Sequence, residues 1–196
     1  MQTKYSYWLF KNVVQEKDRK KIKRLASKSG YKDADVSSED GTTVVNNKIR
    51  NSNVAFSDDQ YFYNLFCPFV DFANEQAGWK YDVDWFEDVQ IAKYKKDQHY
   101  SWHTDGESDH FGTYTSDGDW KGKVRKLSLV SCISNGFDGG ELEFCLLGER
   151  NSEILRPELR VGDVIVFPSF VHHRSTPITK GIKYSVSMWC LGSPFR

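Results

Sequence analysis

Two periodicities divide the chain. Over Gln15–Ser29, Ile22, Leu25 and Ala26 recur on one face of a 3.6-residue helix, and Gly30 follows where a helix needs a left-handed C′ residue. Ser57-Asp58-Asp59-Gln60 reads as a capping box. Behind it Phe62, Leu65, Phe66, Phe69, Ala73 and Ala77 repeat at helical spacing until Gly78, with Pro68 a candidate kink. A stripe this aromatic predicts a helix packed on a sheet. Residues 31–57 are polar and rich in turns, so they predict loop with short strands. From Asp88 onward the period changes to two. Strands are predicted at Val89–Lys95, Lys126–Ser134, Glu141–Leu147, Asp163–Phe167 and Tyr184–Cys190. Turns fall at Asn135-Gly136, Gly139-Gly140 and Thr179-Lys180-Gly181, and longer loops at Gly106–Lys123 and Gly148–Gly162. With no repeat and no second core, this is one α+β, mainly β domain over residues 1–196. Residues 1–87 supply helical support; residues 88–196 form a β-sandwich or double-stranded β-helix.

Composition narrows the functional classes. The 196 residues carry 27 Lys+Arg and 27 Asp+Glu, and this balance argues against a general polyanion binder, so nucleic acid is not the expected partner. The basic run Arg19–Arg24 then reads as a solvated helix face. Aromatics at 15% argue for a ring-lined interior. Cys67, Cys132, Cys145 and Cys190 form no CxxC and read as free thiols of a reducing compartment. No 18-residue apolar run occurs, so neither a secretory signal nor a membrane span is expected and a cytoplasmic location is.

The chemistry begins at His103-Thr104-Asp105. One H-x-D is weak evidence, because 5 His and 17 Asp in 196 residues give roughly 0.4 such matches by chance. The pair His172 and His173, just past the strand Asp163–Phe167, supplies the missing imidazole. Two imidazoles and a carboxylate occupy one face of an octahedral metal and leave three positions open, the facial triad of non-haem Fe(II) oxygenases. Structural zinc would want four closed ligands, usually with sulfur. The commonest electron source for such an iron is 2-oxoglutarate, whose distal carboxylate needs a fixed cation in a partly desolvated pocket. Lys183 is the candidate. On its strand Lys183, Ser185, Ser187 and Trp189 share one face, and Tyr184, Val186, Met188 and Cys190 the other. The polar face belongs in a ligand-holding lumen; the alternative is an exposed edge strand.

Three motifs carry a resemblance. Tyr94–Asp105 is similar to the Y-x-x-G-x-x-Y-x-x-H-x-D signature of prolyl 4-hydroxylase-like 2-oxoglutarate/Fe(II) dioxygenases. Gly139–Phe144 resembles that family's G-G-E-[TL]-x-F turn, and Phe167–Ser185 its F-P-S-x-x-x-H-x-V-x-P-V-x-x-G-x-R-Y-S run. The spacing is closest to the small microbial PKHD-type branch, which Arg50-Asn51-Ser52 also resembles. The resemblance implies a double-stranded β-helix with iron on His103, Asp105 and His173. It places Lys183 and Tyr94 on the distal carboxylate of 2-oxoglutarate and Ser128 beside them, with Trp189 and Tyr100 on the substrate side. It implies Fe(II), 2-oxoglutarate and O₂, with ascorbate as an accessory, and a protein or peptide substrate hydroxylated at proline. Other substrates within the same chemistry are a free amino acid, a small metabolite or a nucleobase; a non-catalytic cupin-like binding module is the competing class. Three positions depart from the pattern: Asp97 for the motif's glycine, Ser175 for its valine, and Lys183 where the PKHD branch has Arg. The loop Gly106–Lys123, with Phe111, Tyr114 and Trp120, reads either as a lid over a peptide or as a disordered loop.

Overall fold

The computed structural model describes residues 5–37, 43–106, 112–115, 117–147 and 152–195. In chain order the elements are β1 (Trp8–Phe10), α1 (Glu16–Ser29), β2 (Lys32–Asp33), β3 (Val36–Ser37), β4 (Thr43–Val44), β5 (Arg50–Asn51), β6 (Asn53–Ser57) and α2 (Gln60–Gln76). There follow β7 (Trp85–Phe86), β8 (Val89–Tyr94), β9 (His99–His103), β10 (Val124–Cys132), β11 (Asp138–Gly139), β12 (Leu142–Leu147) and β13 (Ser152–Leu155). The last four are β14 (Val164–Pro168), β15 (His172–Ser175), β16 (Ile178–Lys180) and β17 (Lys183–Gly192). A major antiparallel sheet runs β1-β14-β10-β17-β8-β6-β2, with β7 also paired to β17; a minor sheet runs β13-β12-β15-β9-β5. These facing antiparallel sheets form the double-stranded β-helix.

Side-chain alternation sorts the residues of each strand between two layers. Val164 and Val166 of β14 join Val186 and Met188 of β17 and Leu127 and Leu129 of β10 under the helices. There they meet Ile22 and Ala26 of α1 and Phe62, Phe66, Val70 and Ala73 of α2. Ile165 and Phe167 point the other way, onto Leu142, Phe144 and Val171 of the minor-sheet side. Each fully buried large apolar side chain here is worth about 2–3 kcal/mol.

Several expectations need correction. The N-cap of α2 is Asp59, whose side chain accepts from the Tyr61 N–H at 2.9 Å. Ser57 belongs to β6, because the ladder with β8 continues through Ser57 and Val89. Pro68 lies within a continuous α2. The segment before residue 88 also supplies sheet as well as helix: β1 pairs with β14, β6 with β8 and β5 with β9. Part of the expected loop 148–162 is strand, since β13 pairs with β12. Phe111 lies outside the described residues. Tyr114 and Lys123 are tied by a backbone hydrogen bond of 3.0 Å. All four cysteines are free thiols.

Candidate active site

Strand pairing brings distant sequence motifs together. His173 of β15 sits directly across from His103 of β9, so residues 70 apart in sequence become cross-strand neighbours. Their rings lie 4.2 Å apart, centroid to centroid. Asp105 follows β9 and is fixed by its backbone N–H to the Ser169 carbonyl at 2.9 Å. Its two carboxylate oxygens stand 3.6 Å from His103 Nε2 and 3.6 Å from His173 Nε2. One donor atom from each of the three residues falls within 4.8 Å of the others.

The surroundings set each group up to ligate. His103 Nδ1 donates to the Ser101 carbonyl and His173 Nδ1 to the Val171 carbonyl, both at 2.8 Å. A carbonyl only accepts, so each Nδ1 carries the proton and each Nε2 offers a lone pair. Burial, then the adjacent His173, push the His103 imidazole well below its usual range and keep it neutral. Burial would raise the Asp105 carboxyl, but the Arg125 guanidinium and a hydrogen bond from Ser128 hold it ionised. The Ser128 hydroxyl donates to Asp105 Oδ2 at 2.7 Å and lies 2.9 Å from the Ser169 hydroxyl.

Lys183 stands at the other end of the same lumen, six residues before Trp189 on β17, roughly 20 Å along the strand. It is 5% exposed and pairs across the ladder with Tyr94. Its ammonium donates to the Gly140 carbonyl at 2.7 Å and to the Ser175 hydroxyl at 3.2 Å, and lies 5.5 Å from the Tyr94 ring centroid. Among the described residues no carboxylate pairs with it, and burial lowers its pKa. Burial also raises the Tyr94 phenol and keeps it protonated. Gly140, at φ +68°, supplies the close approach: a Cβ there would stand 2.4 Å from Ile178 Cδ1 and 3.1 Å from Lys183 Cδ. Lys183, Ser185, Ser187 and Trp189 all line the lumen, together with Tyr94, Tyr100 and the three metal-site residues.

Ser128 is therefore separated from Lys183 and Tyr94 and placed behind Asp105. Tyr100 stacks on His103 at 3.5 Å. Trp189 faces the lumen with the Arg125 guanidinium 4.3 Å from its ring centroid. His172 is exposed and lies against Trp102, with ring centroids 5.3 Å apart.

The family model described as "2OG-Fe(II) oxygenase superfamily" matches residues 89–191. The chain belongs to the 2OG-Fe(II) oxygenase superfamily. Its fold is shared with a Pseudomonas putida prolyl-4-hydroxylase at TM-score 0.69 and 19% identity, covering 95% of this chain and 92% of that one. It is also shared with the viral collagen prolyl hydroxylase of Paramecium Bursaria Chlorella virus-1, at TM-score 0.65 and 19% identity over 96% and 97% of the two chains. A Trichoplax adhaerens prolyl hydroxylase in complex with a hypoxia inducible factor peptide fragment superposes at TM-score 0.69 and 14% identity, over 94% and 83%. No protein of curated function matches the chain by sequence. Among the described residues no helix is long and apolar enough to cross a membrane.

The oxygenase's donor set suits its metal and co-substrate. Two imidazoles and one carboxylate fit Fe(II), and a buried ammonium that no carboxylate pairs with among the described residues fits a dicarboxylic acid. Two further groups escaped the sequence reading. Arg125 is clamped by Glu87 through two bonds of 2.7 and 2.6 Å, and Tyr114 donates to the same carboxylate at 3.0 Å. Alternation would put Arg125 on the helix side with Leu127 and Leu129, but a bulge between Arg125 and Leu127 turns it toward Trp189. Arg50 is 7% exposed, donates to Gln90 Oε1 at 2.7 Å and lies 4.7 Å from the Tyr100 ring centroid. Its only sequence signal is the Arg50-Asn51-Ser52 run.

Proposed function

We propose that this oxygenase hydroxylates an unactivated C–H of a prolyl residue in a protein or peptide, consuming 2-oxoglutarate and releasing succinate and CO₂. The observation that carries the reading is the layout of the lumen. The triad lies level with Trp189, because Asp105 is held by Ser128 and Ser128 is the cross-strand partner of Trp189. The anion-binding Lys183 lies at the far end. The site thus offers a ring-lined approach to the metal that a projecting side chain can enter. Similar solved structures include prolyl hydroxylases, one of them with a peptide bound.

Bound Fe(II), with 2-oxoglutarate and O₂, supplies the oxidant that places hydroxyl oxygen on carbon. His103 Nε2, His173 Nε2 and the Asp105 carboxylate hold the ion. The Nδ1 hydrogen bonds fix both ring orientations, and Ser128 fixes the carboxylate. Lys183 binds the distal carboxylate of 2-oxoglutarate, and the Tyr94 hydroxyl adds a neutral donor. Phe144 and Phe167 pack near His173, with centroids 6.2 and 4.8 Å away, and exclude water from that side. Trp189 and Tyr100 face the substrate. The four free thiols suit a reducing compartment, so a cytoplasmic location is part of this reading.

The test is mass spectrometry of a panel of proline-containing peptides incubated with enzyme, Fe(II), 2-oxoglutarate and O₂. A gain of one oxygen atom on proline, with matching succinate, is expected. Succinate formation coupled only to free amino acids or nucleobases would replace the prolyl assignment while keeping the enzyme class.

A further inference from the structure

Beside Arg125, which covers Trp189 in the lumen, lies a groove that the catalytic chemistry does not use. Its near part, about 320 Å³, is bounded by Tyr114, Trp120, Phe56 and Glu87. Tyr114 and Glu87 are the partners of Arg125, so this part adjoins the Arg125–Trp189 pair. Its far part, about 770 Å³, runs along α2. Trp85, Phe86 and Asp88 border both parts.

The walls are aromatic and the rim is acidic. Tyr63, Trp85 and Phe86 form the walls, with Tyr63 and Phe86 in ring contact at 6.2 Å. Asp58, Asp71, Asp84 and Asp88 line the same groove. Lys123 neutralises Asp84 at 2.7 Å. Among the described residues no cation pairs with Asp58, Asp71 or Asp88, and all three are exposed. Partial burial, then the carboxylates of Asp58 and Glu87, push the Asp88 carboxyl upward. This local excess occurs in a chain whose formal net charge is +0.

We propose that this groove docks a lysine- or arginine-bearing segment of the same polypeptide whose target residue enters the lumen. Cationic side chains pair with Asp58, Asp71 and Asp88, and their stems or intervening proline rings lie on Trp85 and Phe86. The groove then selects which protein is modified, while Trp189 and the triad select which atom. The inference rests on the polypeptide reading above, and the test separates the two.

Two fluorescent peptides share one proline-containing core and differ only in a Lys-rich or Glu-rich flank. Anisotropy measures their binding to anaerobic enzyme loaded with Fe(II) and 2-oxoglutarate, at low and at physiological salt. The intact enzyme is expected to favour the Lys-rich peptide by about tenfold at low salt and less at high salt. The Asp58→Asn/Asp71→Asn/Asp88→Asn variant loses the preference. Asp71→Lys shifts binding toward the Glu-rich peptide, a reversal that misfolding does not produce. Equal binding of both peptides by the intact enzyme overturns the groove, as does a preference that survives the triple substitution. Admitting O₂ then reads the other claim. Lys-selective binding without oxygen gain on proline upholds the groove and removes the prolyl assignment; oxygen gain on proline at equal rate in both peptides does the reverse.

Discussion

At the scale of single residues, the two adjacent histidines are the sharpest contrast. His173 is buried, aims Nε2 at Asp105 and has its ring fixed by the Val171 carbonyl. His172, its neighbour, points to the exposed face against Trp102. His173→Ala is expected to abolish Fe(II)-dependent conversion of 2-oxoglutarate to succinate, and His172→Ala to retain most of it; a succinate assay on the two variants decides. Ser128 offers a second contrast. The family pattern puts its position near the co-substrate, whereas here its hydroxyl bonds to Asp105. Ser128→Ala should therefore weaken Fe(II) affinity about tenfold, the size typical of removing a group that orients a metal ligand. The KM for 2-oxoglutarate should change little. A raised KM with unchanged metal affinity would return Ser128 to the co-substrate. Lys183→Ala has the opposite signature: loss of a buried charge-assisted hydrogen bond costs about 1.5–3 kcal/mol, or a rise of roughly 10–100-fold in that KM. These ligands were legible in sequence because chemistry restricts them to few residue types. Arg125 was not, because a single bulge reverses the face that alternation assigns.

Elements succeed or fail on backbone conformation at their ends. The turn between β8 and β9 places Asp97 at φ +67°, where the family pattern has glycine. Its N–H donates to the Ile178 carbonyl at 2.8 Å, so the conformation is held from outside the turn. Aspartate tolerates the left-handed region better than most residues, and β-branched residues tolerate it worst. Asp97→Val should cost about 1–2 kcal/mol and Asp97→Gly should be near neutral, read as shifts in thermal midpoint. Gly140→Ala combines both penalties, because its Cβ would press on Ile178 and on the Lys183 stem. The helices and the long strands were legible because their hydrophobic period is sustained. β1, β5 and β13 were not: each is two to four residues long, too short for alternation to register, and exists because a neighbouring strand offers it an unpaired edge.

At the scale of the molecule, net charge conceals what matters, since balanced totals coexist with an acidic groove beside α2. The same scale governs whether residues 88–196 stand alone as a catalytic core. Three observations argue that they do not. β6 pairs with β8 along five residues, Asn53↔Lys93 to Ser57↔Val89, and its removal would bare the edge of the strand that carries Tyr94. β5 pairs Arg50 with Tyr100 and Asn51 with His99, so the strand ending at His103 would lose its outer partner. Ile91, Leu127, Leu129, Val186 and Met188 are each 0% exposed, and much of their cover comes from α1 and α2. Exposing five such side chains costs about 2 kcal/mol each, close to the whole stability of an ordinary domain. A fragment spanning residues 88–196 is therefore expected to be unfolded or aggregated, whereas the full chain unfolds in one cooperative transition. Circular dichroism of the fragment and calorimetry of the full chain check this. A fragment with native-like melting and Fe(II)-dependent succinate formation would show that the N-terminal segment only decorates a core that the motifs alone specify.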